Sequence, residues 1–336
     1  MSFKRLDAED FVVSADSVQS TAWSTGLATL TSFFTSSTQA AASSGDFYLS
    51  IFQTASSNSS AVVQFDVAYA NVLGSGSTYY NSNYPQYSPS STNYGQYRSL
   101  VLEDENSSFT FGDGNNQYTS NDFWIISVDR ARYKEKLFPG TFSLSISGSG
   151  GKVTLTDNSG VQSVATFLGS NRVFQIISGS NGSPVGSTGY VTNSGSYGLY
   201  LPDIGTILLN PAAINQSTGL SPNTNANISN TINTTAFVDS LNLGTGFTLN
   251  AEETITSDYI FIRSRNSEFN YSTNPSFISG STGELIFSQF INNPQVYVTT
   301  VGMYNDANEL VAVAKLSRPL VKDFTKESLI RVKLDF

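Results

Sequence analysis

Glycine, asparagine and serine interrupt every apolar stretch of this chain within a few positions, so no run reaches the roughly 18 apolar residues of a membrane-crossing helix. The pieces between interruptions are strand-sized. Thr141–Ser147, Lys152–Thr156, Ser163–Leu168, Arg172–Ser178 and Gly205–Leu209 are short, rich in β-branched or aromatic residues and bounded by turn formers, which predicts consecutive antiparallel strands. Heptads are absent, and so is any period of about 20 to 50 residues, which argues against a coiled-coil stalk, a solenoid or a propeller. The predicted fold is mainly β, with an antiparallel sandwich-like core formed from the chain ends, an inserted β-rich region and little helix.

Charge distribution supplies the domain signal. Between residues 141 and 251 the only charged side chains are Lys152, Asp157, Arg172, Asp203 and Asp239, whereas both flanks are richly charged. This contrast predicts an extended N-terminal arm over 1–25, a β core from 26–140 and 252–336, and an inserted β-rich domain over 141–251. Within the insertion, Asn210–Thr235 is so polar that a long loop lying on other structure is expected. In the arm, Phe3, Leu6, Phe11, Val12, Val13 and Trp23 are too apolar for a free tail and lack helical phasing, so contacts outside the arm's own core are expected.

Toward the other end, Gln295–Tyr304 and Glu309–Leu316 flank Asn305-Asp306-Ala307-Asn308, the pattern of a β-hairpin. Leu329–Phe336 alternates, with Ile330, Val332, Leu334 and Phe336 on the face to be buried and Arg331 and Lys333 on the outer face. Pairing of this strand with the preceding hairpin is expected. The one helix expected follows Pro89, capped by Ser91 or Thr92 and running through Tyr94, Tyr97, Leu100 and Val101.

The chain has neither histidine nor cysteine, which removes imidazole acid-base catalysis, thiol nucleophiles, disulfides and zinc-thiolate sites. A net charge of −9 leaves no basic footprint for phosphates, so nucleic acid is not an expected partner, and neither is insertion into a membrane. The opening residues carry acids where a secretory signal needs apolar residues, so synthesis in a cytoplasm is expected. The glycine-rich pieces Gly74-Ser-Gly76 and Gly148–Gly151 lack the Gly-Lys-Ser/Thr of a phosphate loop. Asp113-Gly-Asn115-Asn-Gln117 begins like a calcium loop but has Tyr118 and Trp124 where glycine and glutamate belong, and an irregular site near Glu103, Asp104, Glu105 and Asp113 competes with a solvated acidic loop. Glu252, Glu253 and Asp203 are nominal glycosidase acids, yet neighbours on a strand point to opposite faces. Neither an enzyme nor a cofactor is expected.

Contact residues are better represented. Tyr79, Tyr80 and Tyr84 sit in an Asn/Ser-rich loop of the kind that recognises sugars or proteins. Arg130, Arg132, Lys134 and Lys136 alternate with other residues, so on a strand they would form one basic face in an acidic protein. Phe3, Phe11 and Trp23 in the arm, with Arg331 and Lys333 on the last strand, complete the candidate interface.

Several stretches carry a family resemblance: Phe3–Val13, Arg130–Phe142, Tyr197–Asp203, and Val298–Asp306 continuing into Leu310–Leu316. They resemble virion structural proteins of T4-like contractile-tailed phages, those of cyanophages above all, and the nearest named family is the baseplate wedge subunit. The likeness is firmest over about the last 85 residues and thin through the polar middle. It implies a mainly β, non-enzymatic protein of the virion tail or baseplate, assembled in the host cytoplasm by contact with other tail proteins, with homo-oligomerisation open. A receptor-binding fibre protein that reads host glycan through its Tyr/Asn loops is the alternative; such adhesins are usually trimeric, with repeats or coiled coil that this sequence lacks.

Overall fold

A computed structural model describes residues 3–36, 47–225, 228 and 230–335. The chain begins with β1 (Phe11–Thr21), β2 (Thr29–Leu30), β3 (Phe34–Thr35), β4 (Leu49–Phe52), β5 (Val63–Asn71) and helix α1 (Pro89–Leu102). There follow β6 (Phe109–Asp113), β7 (Asn116–Ser120), β8 (Asp122–Val128), β9 (Lys136–Leu137), β10 (Ser143–Gly148), β11 (Gly151–Asp157), β12 (Thr166–Leu168) and β13 (Asn171–Ser180). Next come β14 (Ser183–Pro184), β15 (Gly198–Leu201), β16 (Thr206–Leu209), α2 (Pro211–Thr218) and α3 (Asn230–Gly244). The last strands are β17 (Phe247–Thr248), β18 (Asn250–Ser264), β19 (Val296–Tyr304), β20 (Leu310–Lys322) and β21 (Ser328–Asp335). Strand makes up 42% and helix 15%, so the protein is mainly β as expected. Among the described residues no helix is long and apolar enough to cross a membrane.

The chain divides into two compact units, Val18–Glu253 and Met1–Ser17 with Thr254–Phe336. This corrects the boundaries that charge suggested. Residues 141–251 are no separate insertion, because β16 pairs with β8, setting Leu208 beside Ile125. Sparse charge in the middle reflects what its surface is made of and not where the chain folds apart.

In the larger unit one antiparallel sheet runs in the order β2-β17-β10-β11-β13-β15-β16-β8-β5-β4-β3, with β12 and β14 added on β13. Its central strands are apolar on both faces, as a sheet covered on both sides requires. Phe65, Val67 and Tyr69 of β5, with Trp124 and Ile126 of β8, enter one core; Ala68, Ala70, Phe123 and Ile125 enter the other. The first core also holds Trp23, Phe237 and Leu241, so α3 covers that face. Tyr94 and Val101 of α1 lie in the second core with Phe109 and Phe111 of β6. Phe65 and Phe247 stack edge-on at 5.4 Å although their strands are far apart in the sheet order, which means the sheet curls around the first core.

Helix α1 is the expected one, but it begins at Pro89, with Ser88 as N-cap. Proline at the first helical position loses no intrahelical bond, so the boundary moves back from Ser91. The polar loop expected over Asn210–Thr235 is largely helical. The Asn210 side chain accepts from Ala212 N at 3.1 Å, capping α2 with Pro211 in its first turn. Buried Trp124 donates its Nε1–H to Asn233 O at 3.2 Å on α3. Gly244 closes α3 against β10, where a Cβ would stand only 1.9 Å from Ser145 O.

In the smaller unit β1, β18 and β21 form a sheet, while among the described residues β19 and β20 pair only with each other. The hairpin is the expected one, turned over Asn305–Asn308 with Asn305 N donating to Glu309 O at 3.1 Å. Opposite the single residue Thr299, β20 bulges over residues 316–319, and Pro319 sits in that bulge, where no ladder hydrogen bond is asked of it. Strand β21 pairs with β18 and not with the hairpin, a correction, with Val332 beside Ile260 and Lys333 beside Tyr259. The expected alternation holds: Val332 is buried, Ile330 and Leu334 are half-buried, Arg331 and Lys333 are exposed. Phe336 lies outside the described residues.

Candidate interaction surfaces

The arm does not behave as one piece. Phe11 is exposed on β1. Phe3 is 58% exposed and meets Tyr304 of β19 edge-on at 5.2 Å, while Lys4 pairs with Glu268 at 3.0 Å. Trp23 is only 2% exposed, donates Nε1–H to Phe247 O at 2.8 Å and packs on the Phe247 ring at 4.8 Å. It is a core residue, which corrects its place among the contact candidates; an indole in the larger unit's core ends the arm before residue 25.

The basic segment folds onto its own chain. Asp129 accepts from Ala131 N and starts a single 3-10 turn over Arg130–Arg132, so the four cations do not share a strand face. Arg130 lies over the Tyr133 ring at 4.5 Å and donates to Tyr133 O. Lys134 pairs with Glu253 at 2.6 Å and Lys136 with Glu252 at 3.6 Å. Arg132 is half-buried. The expected docking patch is thereby corrected: Glu252 and Glu253, two of the three acids nominated for hydrolysis, neutralise two of the four cations.

Other acids are also engaged. Asp203 pairs with Arg172 at 2.9 Å, and Glu103 binds the Ser170 hydroxyl. Asp113 flanks the tight β6–β7 turn opposite Asn116 and accepts from Tyr190 Oη at 2.9 Å. Burial, reinforced by the Asp113 charge, pushes the Tyr190 hydroxyl well above its ordinary range and keeps it a donor. Tyr190 and Asp113 border a cleft of ≈ 400 Å³ whose lining mixes Asn158, Gln162 and Gln175 with Val161, Val164 and Val173.

Two predicted groups do reach the surface. Tyr79, Tyr84 and Tyr87 are exposed, with the Tyr84 and Tyr87 rings 5.8 Å apart, and Tyr80 is half-buried. Arg331 and Lys333 both lie over the Tyr259 ring, at 5.5 and 5.9 Å, and Lys333 pairs with Asp335 at 2.9 Å. Those cations decorate their own strand pair before any partner arrives.

The surface that residue-by-residue reading missed is the β19–β20 ribbon. Tyr297, Tyr304, Leu310, Val311 and Val313 are all exposed on it, Val311 to 70%. The signal was available: Leu310-Val-Ala-Val-Ala puts apolar side chains on both faces, so no arrangement of an isolated ribbon can hide them. No protein-family model, curated protein or solved structure matches this chain.

Proposed function

We propose that this chain is a non-enzymatic structural subunit of a phage contractile tail, in the baseplate wedge, which acts by binding neighbouring tail proteins. The observation that carries this reading is the β19–β20 ribbon, a two-stranded sheet with exposed Val311, Val313, Leu310 and Tyr297. Two strands alone are marginal in water, and clustered apolar side chains at a surface mark contact sites. The family resemblance is firmest over this same region, and a chain without histidine or cysteine suits an architectural task. Mass spectrometry of purified, fractionated virions tests it: the protein should stay with tail and baseplate fractions, and its departure with fibres would defeat the reading.

The exposed Tyr79, Tyr84 and Tyr87 favour a second reading, an adhesin that recognises host glycan. A glycan array answers this directly, since binding lost on Tyr84→Ala with Tyr87→Ala would favour the adhesin over the tail component.

A further inference from the structure

The outer edge of β20 carries a charge pattern complementary to itself. Because β19 and β20 pair only with each other, this edge has no strand partner among the described residues, and such an edge templates pairing with another chain unless something blocks it. Glu309, Val311, Val313 and Lys315 are all exposed along it. Asn305 Nδ2 donates to the Glu309 carboxylate at 2.8 Å and holds it beside the start of the strand. Lys315 takes part in no ion pair among the described residues.

Glu309 and Lys315 stand at equal distances in sequence on either side of Ala312. When a second β20 is laid antiparallel about Ala312, Glu309 of each copy faces Lys315 of the other, and Val311 of each faces Val313 of the other. Opposite charges and β-branched pairs set directly across a ladder are favourable. A slip of two residues would set each charge against an apolar residue or the bulge, and a parallel arrangement would set like charges together. An unrelated apolar strand would have to leave Lys315 unpaired. The edge therefore selects its own copy.

We propose that two copies of this chain associate by antiparallel pairing of β20 with β20 across a two-fold axis at Ala312, an isologous contact in which one patch serves both partners. The proposal rests on the reading of the ribbon as an assembly surface and names its partner. Sedimentation velocity of the full chain over a range of concentrations should give a monomer–dimer equilibrium. Lys315→Glu alone and Glu309→Lys alone should each weaken it by about tenfold or more through like-charge opposition, and combining them should restore it. The chain is free of cysteine, so Ala312→Cys should yield a disulfide-linked dimer on mild oxidation while Lys326→Cys should not. A monomer at every concentration with no crosslink at 312, or a dimer indifferent to both charge reversals, overturns the proposal. If the chain is monomeric yet present in tail fractions, the pairing fails and the assembly reading stands.

Discussion

Lys322 Nζ donates to Asn270 Oδ1 at 2.6 Å in a place where the lysine is only 1% exposed. Backbone carbonyls of Asn266 and Asp323 accept at 3.2 and 3.0 Å, so the three donors of a buried ammonium rest on three neutral oxygens. The Asp323 carboxylate is turned away toward Thr325 and Lys326. Burial of a cation is tolerable only while its hydrogen bonds are complete.

Asn270→Ala should therefore leave one ammonium donor unmatched and cost about 1.5 to 3 kcal/mol, the worth of a hydrogen bond to a charged group. Urea denaturation followed by tryptophan-independent far-ultraviolet dichroism reads it. An unchanged midpoint would mean that water replaces the amide.

Trp23→Ala should cost about 3 to 5 kcal/mol, as loss of a core aromatic does. Phe3→Ala, at an exposed position, should stay within about 1 kcal/mol. Equal denaturation midpoints for the two variants would return Trp23 to the arm and remove it from the core.

Val332→Ala should cost roughly 2 kcal/mol through lost burial and a small cavity on the inner face of β21. Arg331→Ala combined with Lys333→Ala should barely move the denaturation midpoint, because both cations are themselves exposed on the outer side of the strand, over the half-buried ring of Tyr259. The opposite order would invert the assignment of the strand's faces.

Burial raises the Asp122 carboxyl above its ordinary range, and hydrogen bonds from Tyr69 and Ser120 pull it back only in part. The folded state thus binds this proton more tightly than the unfolded chain. The associated stability is fully present below the ordinary carboxylate range and is lost as pH rises through the raised value. Asp122→Asn keeps an oxygen for Tyr69 and removes the charge. Its stability relative to the natural chain should grow as pH rises from 4 to 7 in a series of urea titrations, and a constant difference would refute the assignment.

Local signals were the legible ones. Strands β10, β11, β12, β13 and β16 follow from short β-branched runs between turn formers, and the β19–β20 hairpin follows from Asn305–Asn308, because each depends on neighbours in sequence. Helix α3 was hidden because Asn230, Thr231, Asn233 and Thr234 are buried polar residues on a segment whose apolar anchors are few, chiefly Phe237, Val238 and Leu241. Choice of strand partner was also hidden: nothing near Leu329 announces that its strand will pair with residues 257–264. Of the candidate surface, exposure of Tyr79, Tyr84, Arg331 and Lys333 was legible from residue type and position. The neutralisation of Lys134 and Lys136 was not, since it depends on acids more than a hundred positions away.

The smaller unit is made from Met1–Ser17 and Thr254–Phe336, while the larger is one uninterrupted stretch between them. During synthesis the larger unit is fully in hand once Glu253 has left the ribosome, and it can close at once. Residues 3–17 must wait, because their sheet needs β18 and β21, the latter ending at Asp335. Residues 3–17, made before the larger unit, are thus fixed only after it. Premature termination anywhere between β18 and β21 would release a chain whose larger unit is folded and whose β18 edge, covered by β21 in the full sheet, is open to the nearest available strand, a defect that purified aggregates from truncated transcripts would reveal.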